Sequence, residues 1–250
     1  MLYVTISKTV QQVGQTLYLL LRMPIQVIAF DADDTLWVNE PHYQHVEQQF
    51  CGLLEDFLPR HTVSQELFRT EMDNLSLYGY GAKAFMLSMI ETAIRITEGR
   101  VAAHSIRHII DLGREMLHEP IELLPDVQAV LDTLQTQFRL VVATKGDLLD
   151  QERKLEKSGL ASYFHHIEIM SDKKEQDYRK LLRHLEVPPE AFLMIGNSLR
   201  SDVLPVLNLG GWGFHVPYHT TWEHEKIDAK IENERFRTLE TLKDVLPILL

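Results

Sequence analysis

Cysteine is almost missing from this chain. Cys51 stands alone among 250 residues, which excludes an intrachain disulfide and a cysteine-based zinc site. It sits in a helical pattern and reads as a small buried hydrophobe, not a nucleophile. Long hydrophobic runs are missing too. The apolar run Leu17-Tyr18-Leu19-Leu20-Leu21 is too short to span a bilayer. Lys8 precedes it, but no small-residue cleavage site follows, which argues against a signal peptide. No segment elsewhere is apolar enough to cross a membrane, so a cytoplasmic protein without a membrane partner is expected. Basic charge is in deficit: 25 Lys and Arg face 36 Asp and Glu, a net charge of -11. That disfavours nucleic acid, whose phosphates need a concentrated basic surface. Internal repeats and low-complexity stretches are absent as well.

What is present is globular. The apolar fraction is 45%, and the length suits one large domain or a domain carrying an insertion. The most informative segment is Val27-Ile28-Ala29-Phe30-Asp31-Ala32-Asp33-Asp34-Thr35-Leu36-Trp37. Its first four residues read as a strand buried on both faces. The strand delivers Asp31 and Asp33 to its C-terminal end, where buried carboxylates are costly unless a cation or hydrogen bonds compensate. The spacing asks for a metal ion and offers one carboxylate as nucleophile and one as proton donor.

From Val38 to about Leu117 the apolar residues recur three and four apart, as in Phe50, Leu53, Leu54 and Phe57. This block reads as a separate helical unit inserted after the first strand. Beyond Leu123, strands and helices alternate. Asp126 is placed to cap a helix running to Phe138, and Leu140 to Ala143 reads as a second strand ending in Thr144. Asp147 starts the next helix and Gly159 ends it. Strands are expected at His166 to Met170, Phe192 to Ile195 and Trp212 to Val216. Helices are expected from Glu175 to Leu185, from Asp202 to Leu209 and over the apolar Leu239 to Leu250. Such alternation implies a parallel sheet with helices on both faces, with ligands at the carboxyl ends of the strands. Asp31, Asp33, Thr144, Asn197 and Asp202 all fall there.

These residues resemble the haloacid dehalogenase superfamily in its phosphatase form, from about Ile25 to Leu250. The first motif is Asp31-Ala32-Asp33-Asp34-Thr35, the second is Thr144 after its strand, and the fourth is Gly196-Asn197-Ser198 with Asp202. Lys173 and Lys174 compete for the family lysine. Lys173 is favoured, from its distance to the aromatic Tyr178 on the next helix. Asn197 departs from the Asp of many relatives and Asp34 from their Gly. The resemblance implies a doubly wound, Rossmann-like α/β core over 23–37 and 118–250 and a helical cap over 38–117. Because Met23-Pro24 directly precedes the core strand, residues 1–22 are expected to be a loosely attached tail or an overcalled start. It also implies a magnesium-dependent phosphatase acting on a small phosphorylated metabolite, monomeric or homodimeric.

In that scheme Asp31 attacks phosphorus to form an aspartyl phosphate, and Asp33 protonates the leaving oxygen and then activates water. Thr144 and Lys173 hold the phosphoryl group. The metal is held by Asp31, Asp202, Asn197 and the backbone carbonyl of Asp33, all oxygen donors. Keeping Asp33 favours phosphate chemistry over dehalogenation. A phosphomutase, or a non-catalytic binding protein on the same fold, are the alternatives. In the cap, Tyr78, Tyr80 and Lys83 flank a glycine-rich turn and are candidates for the substrate leaving group. Trp37 and Asn39 are expected in a flap beside the site. His215, His219 and His224 read as a surface loop.

Overall fold

The computed structural model describes residues 25–227 and 230–250. The expected tail over 1–22 lies outside the described residues. Six parallel strands form one sheet in the order β3-β2-β1-β4-β5-β6. They are β1 (Val27–Phe30), β2 (Arg139–Lys145), β3 (His166–Met170), β4 (Phe192–Gly196), β5 (Trp212–His215) and β6 (Phe236–Thr238). In β1 every residue is buried, as a strand with helices on both faces requires. Ile28 and Phe30 join one core with Leu140, Val142, Leu193 and Ile195. Val27 and Ala29 face the other, with Val141, Ala143, Met194 and Tyr178. The period-2 alternation therefore sorts one apolar run into two cores.

Four helices follow β1: α1 (Glu40–Leu53), α2 (Arg60–Tyr78), α3 (Ala82–Ile96) and α4 (Ala103–His118). They pack on one another around Phe50, Val63, Leu67, Phe85, Met89 and Ile109, a core separate from those of the sheet. The chain enters and leaves this helical insertion through two paired segments. Val38 donates to the Glu122 carbonyl at 2.9 Å, Leu124 donates to the Leu36 carbonyl at 2.9 Å, and Trp37 pairs with Leu123 antiparallel.

Around the sheet run α5 (Val127–Leu134), α6 (Leu148–Ser158), α7 (Glu175–His184), α8 (Leu204–Asn208) and α9 (Leu246–Leu249). Two local expectations need correction, and one strand is additional. Asp126 does not cap α5: its backbone is left-handed (φ +62°), whereas a cap needs an extended backbone to aim its oxygen at the first turn. The helix expected from Asp202 begins earlier, as a π turn over Leu199–Val203, with Ser198 accepting from the Ser201 N–H. The sixth strand, three residues long, carries no sequence pattern strong enough to announce it. Among the described residues no helix is long and apolar enough to cross a membrane.

Candidate active site

The register brings the site residues together. Phe30 lies level with Val142 of β2 and Ile195 of β4, so the next residues of all three strands emerge side by side. Asp31 donates its backbone N–H to the Ile195 carbonyl at 2.9 Å, which extends the pairing by one residue and fixes the carboxylate at the sheet edge. The strand order reverses direction between β1 and β4, where open parallel sheets hold their ligands. Asp34 then turns the chain. Its φ of +60° is the left-handed conformation that glycine adopts freely and Asp tolerates. Its carboxylate accepts the N–H groups of Asn39 (2.9 Å) and Glu40 (3.0 Å), anchoring the start of α1.

Lys173, only 2% exposed, reaches from the loop after β3 to both Asp31 and Asp202, the latter at 2.7 Å. Lys174 points to solvent and pairs with Asp172 at 2.7 Å. Of the two lysines, Lys173 is the one in the site. Burial works against its charge, but Asp202 and Asp31 outweigh it and hold the ammonium protonated well above the usual lysine range. Burial pushes the Asp31 carboxyl up to about 7 against the pull of Lys173. Asp202 rides on the π turn, a distortion frequent at functional sites, and its second oxygen accepts the Ser198 N–H at 2.9 Å. Gly196 leaves room for it: a Cβ there would fall 2.2 Å from the Asp202 carboxylate. The Tyr178 hydroxyl donates to the Ser201 carbonyl at 3.0 Å and ties the π turn to α7.

Asp33 has different company. The Trp37 indole N–H (2.8 Å), the Lys154 ammonium (3.0 Å) and the Gln151 amide (2.9 Å) all donate to it. Gln151 also donates to Thr144 Oγ1 at 2.9 Å. Asn197 lies across the site, its N–H donating to Thr35 Oγ1 at 3.1 Å. The oxygens of Asp31, Asp202 and Asn197 form a donor set suited to a hard cation. Among the described residues no three His, Cys, Asp or Glu side chains form a preformed metal cage. Two carboxylates with an amide, a carbonyl and water nevertheless fit magnesium, which keeps waters and takes few protein ligands. The Lys173 ammonium between Asp31 and Asp202 shows that both carboxylates turn toward one cation. The three histidines do not converge: His215 ends β5 with its Nε2 on the Asn197 backbone carbonyl at 2.9 Å, while His219 packs tilted against Tyr218 and His224 against Trp222.

A cavity of about 180 Å³ lies over these residues, closed on its far side by the helical insertion. Of the three residues near the glycine turn, Tyr80 lines it; Tyr78 and Lys83 do not. Tyr78 donates outward to Glu91 at 2.7 Å, and Lys83 pairs with Asp147 at 2.9 Å, bridging insertion and sheet. Tyr80 covers the Lys145 ammonium at 4.1 Å, donates to Asp172 at 3.3 Å and meets the Trp222 edge. Gly81, at φ +109°, lets the turn approach so closely that a Cβ would sit 3.0 Å from the Asp147 nitrogen.

Several lining residues escape a reading of the sequence. Lys145 pairs with Glu225 at 2.5 Å, and Ser198 and Ser201 donate to the same carboxylate. Burial pushes Glu225 up, but Lys145 and the serine hydroxyls outweigh it and hold it at about 2. Gln151 and Lys154 lie three apart on α6 and face Asp33; that spacing, after a helix start at Asp147, was the available signal. From the insertion come Glu40, Tyr43, Glu47, Glu71, Asn74 and Ser88. Burial and the neighbouring Glu47 and Glu40 push Glu71 up to about 8; burial with Asp34 and Glu47 does the same to Glu40.

A model of the haloacid dehalogenase-like hydrolases matches residues 25–210. The human N-acylneuraminate-9-phosphatase is 28% identical over 126 residues, 48% of this chain and 51% of that protein. The chain thus spans about half the length of that curated relative. A solved haloacid dehalogenase-like family hydrolase from Xanthomonas campestris is 40% identical, with a TM-score of 0.81 over 90% of this chain and 92% of that one. A hydrolase from Bacillus subtilis, solved bound to magnesium, is 18% identical with a TM-score of 0.62 over 90% and 98% of the two chains. That level of identity speaks for the fold alone.

Proposed function

The chain belongs to the haloacid dehalogenase-like hydrolases, and from that premise we propose a magnesium-dependent phosphomonoesterase that acts on a small phosphorylated metabolite through an aspartyl phosphate. The supporting observation is the different setting of two neighbouring carboxylates. Asp31 meets Lys173 at the sheet edge, whereas Asp33 is steered by Lys154, Gln151 and Trp37. Asp31 is the nucleophile: its oxygen forms the new bond to phosphorus as the ester oxygen departs. Asp33 gives that oxygen a proton, then takes one from the water that opens the acyl phosphate. Thr144 and Lys173 orient the phosphoryl oxygens. Asp31, Asp202, Asn197 and the Asp33 carbonyl would hold magnesium, which supplies positive charge to offset that of the phosphate.

The helical insertion serves as a cap. Its closure over the cavity excludes bulk water during transfer and confines the substrate to small molecules, with no place for nucleic acid or membrane. Hydrolysis of a generic aryl phosphate, with and without magnesium, tests the reading. Magnesium-dependent turnover that falls on the order of 10⁴-fold in Asp31→Asn is expected. Turnover that survives the substitution, or none in the wild type, overturns it.

A further inference from the structure

The two oxygens of Asp33 are occupied unequally. Its Oδ1 accepts from the Trp37 indole at 2.8 Å and from the Lys154 ammonium at 3.0 Å. Its Oδ2 accepts, among the described residues, from the Gln151 amide alone, at 2.9 Å. A carboxylate oxygen offers two lone pairs, so Oδ1 is filled and Oδ2 keeps one free. The Gln151 nitrogen that holds Oδ2 also donates to Thr144 Oγ1 at 2.9 Å, so Oδ2 is the oxygen on the Thr144 side. Lys154 is itself drawn in three directions. Besides Asp33, its ammonium donates to Asn39 Oδ1 at 2.7 Å. One turn earlier on α6, the buried Asp150 carboxylate faces it at 4.0 Å, beyond hydrogen-bond range, with Arg153 at 3.8 Å. Asp150 is thus a rival for the ammonium. Asn39 follows directly on Val38, which pairs with Glu122 at the root of the insertion, and its own N–H is anchored on Asp34. A fixed residue of the insertion root therefore keeps the ammonium on Asp33.

We propose that Lys154 is a positioning residue for proton transfer: with Trp37 it fills Oδ1 of Asp33 and leaves Oδ2 as the oxygen that carries the proton, and Asn39 holds it there against Asp150. This role rests on the phosphomonoesterase reading, which makes Asp33 the acid and the base. The ester oxygen takes its proton from Oδ2 as its bond to phosphorus breaks. The water that next attacks phosphorus returns one proton to Oδ2 as the bond between phosphorus and Asp31 breaks. Without the ammonium, Oδ1 regains a free lone pair and the carboxyl turns about its own torsions, so the proton is no longer aimed at one place. Misplacing a reacting group by about 1 Å is enough to cost rate. The loss falls unevenly among substrates. A leaving group that departs as a stable anion needs little help, whereas a basic one depends on the proton.

The test compares kcat/KM for p-nitrophenyl phosphate and for phenyl phosphate, with magnesium present, in the wild type, Lys154→Met and Asn39→Ala. p-Nitrophenolate leaves with little need of a proton and phenolate leaves poorly without one, so the ratio of the two constants reports proton delivery. Both constants come from one preparation, so a partly unfolded variant cannot imitate a change in their ratio. Lys154→Met should raise the p-nitrophenyl to phenyl ratio at least about tenfold. Asn39→Ala keeps the ammonium but releases it toward Asp150, and should raise the ratio at least about threefold. With the wild type active, a ratio unmoved in Lys154→Met overturns the proposal and leaves the phosphatase reading intact. A ratio raised in Lys154→Met and unmoved in Asn39→Ala shows the ammonium acting through its charge and not through its placement, and overturns it too. No turnover of either ester by the wild type refutes the phosphatase reading, and the role of Lys154 falls with it.

Discussion

Both walls of the cavity are lined by acidic side chains, and they treat them in opposite ways. On the sheet side four carboxylates have a lysine: Asp31 and Asp202 share Lys173, Asp33 has Lys154, and Glu225 has Lys145. On the cap side Glu40, Glu47 and Glu71 line the cavity, and among the described residues none of them forms an ion pair. The difference shows in protonation: pairing with Lys145 holds Glu225 ionised, whereas burial beside Glu47 and Glu40 favours the protonated form of Glu71.

The sharpest way to break this contrast is to remove a cation from the sheet side. Lys173→Met strands two buried carboxylates and should cost about 3–5 kcal/mol, read as a shift in the urea midpoint, with magnesium restoring part of the loss. A subtler probe compares two glutamates. Glu225 is held at about 2, below its ordinary 4.5, so its contribution is complete above 4.5 and lost as pH falls toward 2. Glu71 sits at about 8, so the protein loses stability as pH climbs from 4.5 toward 8. Glu225→Gln should therefore destabilise by about 2 kcal/mol at neutral pH, and the deficit should shrink on acidification. Glu71→Gln should stabilise by about 1 kcal/mol at pH 8 and by almost nothing near pH 4.5. Denaturant midpoints across the pH range check both signs. The smallest effect belongs to Lys83→Ala. That pair with Asp147 is half exposed, and its loss should change stability by about 0–1 kcal/mol.

The residues at the sheet edge were legible in the sequence and those the insertion adds to the cavity were not, for a physical reason. Asp31 and Asn197 follow apolar strands and Thr144 lies next to the last residue of one, and parallel strands deliver their ends to one edge whatever the details of packing. Lys173 was separable from Lys174 only in part, since sequence places both in one loop and burial alone divides them. Glu40 and Glu71 lie on different helices, 31 positions apart in the numbering. Their meeting depends on how α1 and α2 cross and how the insertion sits on the sheet, and neither leaves a periodic trace. The same holds for Tyr80, which the turn carries into the cavity while Tyr78 and Lys83 point elsewhere.

The paired segments at Leu36–Val38 and Glu122–Leu124 bear on the history of such a molecule. Because the polypeptide leaves the sheet and returns to it at adjoining points, everything between can be lengthened, shortened or exchanged without rethreading the rest. Ancestral lineages could thus try new recognition modules on an old reaction centre, one graft at a time. An engineer can do the same by cutting at these two positions and inserting a foreign helical unit whose ends match.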